Sequence, residues 1–207
     1  MKPYDMGTLF DECADRGSGT TVHLDRPFDI ARDSRVEYDV PSLAELVREV
    51  SGWLAATGAG AGDHVVIIKD NHWDYDLLAC AAVRIGAVPA LLSGHLPAET
   101  LGTLVTRLDP VALVSTGLLL ENARAEGVDL ASFAGVTLSL DTPTTGAITV
   151  DDVSGHTPPA PRRRHDDEPL VVNHTSGTTG MPKLVVHSTG TIIRRLARLE
   201  SVRFPVL

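Results

Sequence analysis

Between Ser42 and Leu140 the chain alternates short apolar runs with longer segments whose apolar residues recur every three or four positions. Few folds accept that pattern. The runs "HVVIIK" (64–69), "AVPALLS" (87–93), "PVALVST" (110–116) and "GVTLSL" (135–140) have the length of buried strands. The segments between them read as helices. The first begins at Ser42, which stands three residues before Glu45 in capping-box spacing, and carries Leu43, Leu46, Val47, Val50 and Leu54 on one stripe. Asn71 is placed to cap the second, with Trp73, Leu77, Leu78, Ala81 and Ile85 inward and Gly86 at its stop. A third, "PAETLGTLVTRL" (97–108), starts on a proline, and residues 117–126 form a fourth. Strand and helix in strict turn predict an α/β fold, a mostly parallel sheet flanked by helices.

The ends of the chain are less regular. Residues 1–19 read as a short helix or loose arm, and "TTVHL" (20–24) with "SRVEYDVP" (34–41) as a hairpin. The Pro-, Thr- and charge-rich stretch after Leu140 reads as an exposed connection, in which "RRRHDDE" (162–168) is a solvated loop of mixed charge. This divides the chain into an arm (1–19), an α/β core (20–141), a linker (142–169), and a strand pair with a C-terminal helix (170–207). That last helix, "TGTIIRRLARLESVRF", has an amphipathic pattern with Arg194 and Arg195 on a basic outer face.

With 43% hydrophobic residues the chain can bury a core, and a net charge of −9 argues against a nucleic-acid surface. No run is long enough for a membrane span, and the N-terminus lacks the apolar region of a signal peptide, so a cytoplasmic location is expected. Cys13 and Cys80 are far apart and read as reduced thiols. The eight histidines show no paired metal-ligand spacing, and no metal site is assigned.

The stretch "VVNHTSGTTGMPKLVVH" (171–187) stands out from this background. Two apolar strand patterns enclose Thr175, Ser176, Gly177, Thr178, Thr179, Gly180, Pro182 and Lys183. Glycines let backbone N–H groups approach an oxyanion, hydroxyls add donors, and a lysine supplies full charge. Only three lysines occur beside 15 arginines, and one of them is here. The pattern is not a Walker A loop, because "LVVH" continues as a strand and leaves no helix N-terminus behind the anion.

"HTSGTTGMPK" resembles the signature phosphate loop of the adenylate-forming superfamily, which includes acyl-CoA synthetases, adenylation domains of nonribosomal peptide synthetases and luciferases. Leu184 stands where that pattern commonly has glycine. "SLAELVREVSGWLAATGAGAGDHVVIIKDN" and "LACAAVRIGAVPALLS" resemble the family's opening helix and strand and its later core segment, in the same order. The resemblance implies a carboxylic acid activated with ATP and Mg²⁺ as an acyl-adenylate, then passed to the thiol of CoA or of a carrier-protein phosphopantetheine. It implies that Thr175, Ser176, Gly177, Thr178, Thr179, Gly180 and Lys183 hold the ATP phosphates, with His174 at the entrance lining the site. No catalytic residue is assigned. The family's later motifs have no counterpart before Leu207, so residues 20–207 are expected to be one truncated AMP-binding domain, not catalytically complete alone. The rest is expected elsewhere, for instance on a separate chain. The alternative is a non-catalytic half-domain that binds nucleotide or a partner.

Overall fold

The alternating runs and periodic segments form one sheet with helices on both faces. The structure, a computed structural model, describes residues 5–175 and 181–200, with side chains as far as Arg195. Helix α1 (Leu9–Asp15) precedes the antiparallel pair β1 (Thr21–His23) and β2 (Glu37–Asp39). Then follow α2 (Val40–Ala56), β3 (His64–Lys69), α3 (Asp74–Arg84), β4 (Val88–Ser93), α4 (Ala98–Leu108), β5 (Ala112–Ser115), α5 (Gly117–Ala125) and β6 (Val136–Ser139). The chain continues through β7 (Ile148–Thr149), α6 (Val150–Val153), β8 (Pro169–Thr175), β9 (Lys183–Ser188) and α7 (Thr189–Glu200). Among the described residues the main sheet has the order β7-β6-β5-β3-β4-β8-β9, and only the β8–β9 pair is antiparallel.

The pleat of β3 explains why its run is apolar throughout. Val65 and Ile67 belong to the core under α2 and α3, whereas Val66 and Ile68 belong to the core under α4 and α5. All four are fully buried. Each such burial contributes about 1.5–3 kcal/mol relative to exposure, so the two faces of one six-residue strand fasten both helical layers.

Two expected helix starts are corrected. Helix α2 begins at Val40, not Ser42, and its cap is Asp39, whose carboxylate accepts the Ser42 N–H at 2.9 Å. Asp39 ends the hairpin in extended geometry, so its side chain reaches the third helical amide, while Pro41 has no N–H to satisfy in the first turn. Hydrogen bonding from the Ser42 side chain, and then from its backbone N–H, holds the Asp39 carboxyl below its ordinary value. Asn71 does not cap α3, which starts after Trp73 with no side-chain cap. Its stop is as expected: Gly86 has φ of 88°, and the amides of Gly86 and Ala87 close back on Val83 and Ala82.

The irregular segments are tied in. Asp11 of α1 pairs with Arg48 of α2 and Arg84 of α3. Within 142–169, β7 adds to the sheet beside β6 and α6 buries Val153. Arg164 departs from the solvated-loop reading, because its guanidinium donates to the carbonyls of Ala87 and Pro169. Arg194 and Arg195 are exposed on α7, as their pattern predicts. No helix among the described residues is long and apolar enough to cross a membrane.

Cys80 is buried in α3, and burial, with lesser help from Asp76 and Asp5, pushes its thiol up to about 12. Cys13 is partly exposed. At pH 8 an aromatic disulfide reagent is therefore expected to titrate one thiol promptly in the native chain and the second only on unfolding. Two equally fast thiols would contradict this burial.

Candidate functional site

Strand β8 runs parallel to β4, with Ala90 opposite Val172 and Leu91 opposite Asn173, and turns back as β9. Thr175 and Lys183 are the last cross-strand pair of that hairpin, and both side chains are exposed. The loop they bracket therefore leaves the sheet at the C-terminal ends of its parallel strands, where Lys69 of β3 lies opposite Ser93 of β4. Open α/β sheets bind ligands outside the carboxyl ends of their strands. Of the phosphate-loop residues expected from sequence, Ser176, Gly177, Thr178, Thr179 and Gly180 lie outside the described residues. Thr175 and Lys183 are placed at the two feet of the loop, and Pro182 is buried beside Lys183. Lys183 starts a strand, so no helix N-terminus follows it.

At this edge of the sheet lies a cleft of about 620 Å³, lined by Lys69, Asn71, His72, Trp73, Tyr75 and His174 among others. His174 accepts the Ser93 backbone N–H at its Nε2, 3.2 Å away, which couples the end of β8 to the end of β4. Its Nδ1 is buried without a hydrogen-bond partner among the described residues. Tyr75 is held beneath the cleft, its hydroxyl against the carbonyls of Leu92 and Ile67, and burial pushes its phenol well above the ordinary value.

The cleft has a charged floor that the sequence reading missed. Lys69 is fully buried, and its ammonium pairs with Asp74 and, at 2.6 Å, with Asp29. Asp74 is also fully buried and accepts the backbone N–H of Asp29 at 2.8 Å. His72, with only 6% of its side chain exposed, places Nδ1 3.3 Å from Asp74. The one signal in the sequence was a lysine ending an otherwise apolar strand. Its partner Asp29 lies 40 residues upstream, beyond any local pattern. No group of three or more metal-ligating side chains occurs among the described residues.

A family model described as "AMP-binding enzyme" matches residues 13–206. The chain belongs to the AMP-binding enzyme family. It is 34% identical over 224 residues to a 3-amino-2-hydroxy-4-methoxybenzoate diazotase from Streptomyces cremeus, covering 98% of this chain and 40% of that protein. It is 32% identical over 161 residues to a fatty acid–[acyl-carrier-protein] ligase from Mycobacterium marinum, covering 72% of this chain and 28% of the ligase. A solved long-chain-fatty-acid-CoA ligase from Archaeoglobus fulgidus superposes with a TM-score of 0.75 at 17% identity, over 94% of this chain and 39% of that one. The chain thus spans well under half the length of these AMP-binding relatives, and the matched stretch is their N-terminal part.

Proposed function

We propose that residues 175–183 are the phosphate-binding loop of an ATP-dependent acid-activating ligase. The carrying observation is positional: the feet of the loop, Thr175 and Lys183, stand at the carboxyl edge of the parallel sheet with the lysine exposed. In this reading Lys183 and the hydroxyl and amide donors of Thr175, Ser176, Gly177, Thr178, Thr179 and Gly180 grip the β- and γ-phosphates. A carboxylate oxygen attacks the α-phosphorus, the bond to the β-phosphate oxygen breaks, and pyrophosphate leaves against those donors. Donors placed where that charge develops lower the barrier without reorganising. Mg²⁺ bound to the triphosphate would neutralise part of its charge. A thiol of CoA or a carrier phosphopantetheine then attacks the acyl carbon and AMP leaves. Contacts to the acyl group and the adenine are assigned to the length that the relatives have beyond the match.

A second reading is favoured by the 34% identity to a protein named as a diazotase. Nitrite, like a carboxylate, is a small oxyanion with a nucleophilic oxygen, and its attack on the α-phosphorus would release pyrophosphate from the same loop. An aromatic amine would then attack the nitrogen, AMP would leave, and loss of water would complete the diazo group.

The test of the loop is a calorimetric titration with Mg·ATP, run with Lys183→Ala alongside. Binding is expected in the native chain and at least about tenfold weaker in the variant, the effect of removing one charged hydrogen-bonding partner. Equal binding in both would refute the loop assignment. Titration with benzoate and with nitrite in the presence of Mg·ATP then separates the two acids.

A further inference from the structure

Helix α1 and the short 3-10 turn before it (Met6–Thr8) touch α3 at both of its ends. At the last turn of α3, the Arg84 guanidinium donates to the Gly7 carbonyl at 3.2 Å and to the Asp11 carboxylate. That carboxylate also accepts from Arg48 of α2. The Arg84 side chain is only 8% exposed, so removing Asp11 would strand a buried charge. At the other end, the Phe10 ring stands edge-on to Trp73, the residue just before α3, with ring centroids 6.2 Å apart and planes at 81°. Phe10 and Asp11 are neighbours, so a single turn of α1 holds one point at each end of an eleven-residue helix.

Trp73 is the group that this contact supports, and its ring lines the cleft. It also meets Phe28, 6.0 Å away with planes at 34°. Phe28 cannot follow a moving tryptophan. It is buried, with Tyr38 at 4.8 Å and His72 at 5.4 Å. Phe10 is only partly buried, on a helix that lies outside the sheet. Of these two rings against Trp73, the one that can shift belongs to the N-terminal segment.

The segment fits α3 backbone on backbone. A Cβ on Gly7 would stand 2.8 Å from the Arg84 Cα and 2.9 Å from the Arg84 nitrogen. Neither atom can swing aside, so any side chain at position 7 lifts this turn away from α3.

We propose that residues 5–15 form a splint along α3 that positions Trp73, so that an apolar wall of the cleft is set by a segment contributing nothing to its lining. Phe10 is the positioning residue, and Gly7 and Asp11 fix where it stands. The inference holds whatever ligand the cleft takes.

Two measurements on the full chain read the contact from its two sides. The chain has two tryptophans and Trp53 is 1% exposed, so acrylamide quenching reports chiefly on Trp73. Phe10→Ala and Gly7→Ala are each expected to raise the quenching constant about twofold or more, because the ring loses its support and opens to solvent. Phe10→Leu keeps an apolar body against the ring and is expected to stay closer to the native value. Hydrogen exchange of the α1 amides reads the reverse direction. Trp73→Ala is expected to speed it about two- to tenfold, the share of local closure that one aromatic pair supplies, while the α4 amides on the other face keep their native rates. Gly102→Ala, on α4, is the control for general loosening and is expected to change neither the quenching nor the α1 exchange.

Unchanged quenching in both Phe10→Ala and Gly7→Ala would overturn the proposal. So would α1 exchange that is indifferent to Trp73→Ala. Exchange that rises equally in α1 and α4 would also overturn it, because the effect would then be global unfolding and not the loss of a splint.

Discussion

Lys69→Met is expected to lower the unfolding free energy by about 3–5 kcal/mol, the usual cost of stripping one partner from a buried ion pair. Lys69 and Asp74 have fully buried side chains, and Asp29 is 24% exposed. Methionine fills much of the space but leaves Asp74 as a carboxylate with no counter-charge, out of reach of water. The cost comes from that stranded charge and not from lost attraction alone. Combining Lys69→Met with Asp74→Asn is therefore expected to recover much of the loss, since Asn can still accept the Asp29 N–H. Urea unfolding at pH 7 measures both. A single-variant loss below about 1 kcal/mol would mean the cluster is hydrated and the account of the floor is wrong.

Gly52→Ala is expected to destabilise, where sequence rules predict a gain. Gly52 lies within the 17-residue helix α2, and replacing a mid-helix glycine with alanine ordinarily adds about 0.5–1 kcal/mol. Here the added Cβ would stand 2.4 Å from the His156 carbonyl oxygen. A backbone oxygen cannot rotate aside, so α2 or the segment near His156 must shift, a strain of about 1–3 kcal/mol. Gly102 of α4 makes the contrast. A Cβ there meets only side-chain atoms, Val128 at 3.0 Å and Phe133 at 3.3 Å, so Gly102→Ala is expected to cost less. Denaturation midpoints order the two. A Gly52→Ala chain as stable as the native one would show that the His156 segment yields freely.

The layered fold was legible because its cause is local. Burying β3 on both faces demands a continuous apolar run, and facing a sheet demands a helical stripe, so "HVVIIK" and the Leu43–Leu54 stripe declare themselves. The boundaries were less legible. Ser42 and Asn71 both have capping chemistry, but which residue caps depends on the angle at which the chain enters, and the hairpin delivers Asp39 to that place.

The site divides in the same way. The loop at 175–183 is read from contiguous residues, because a phosphate cradle needs glycines, hydroxyls and a lysine close together in the chain. By itself the sequence determined the alternating architecture and the family. Tertiary structure alone decided that Ser93 fixes the His174 ring across 81 residues, that Lys69 sits between Asp29 and Asp74, and that His156 closes over Gly52. Each of these depends on the distance between strands and loops far apart in the chain, and side-chain chemistry encodes such distances only through the packing of the whole.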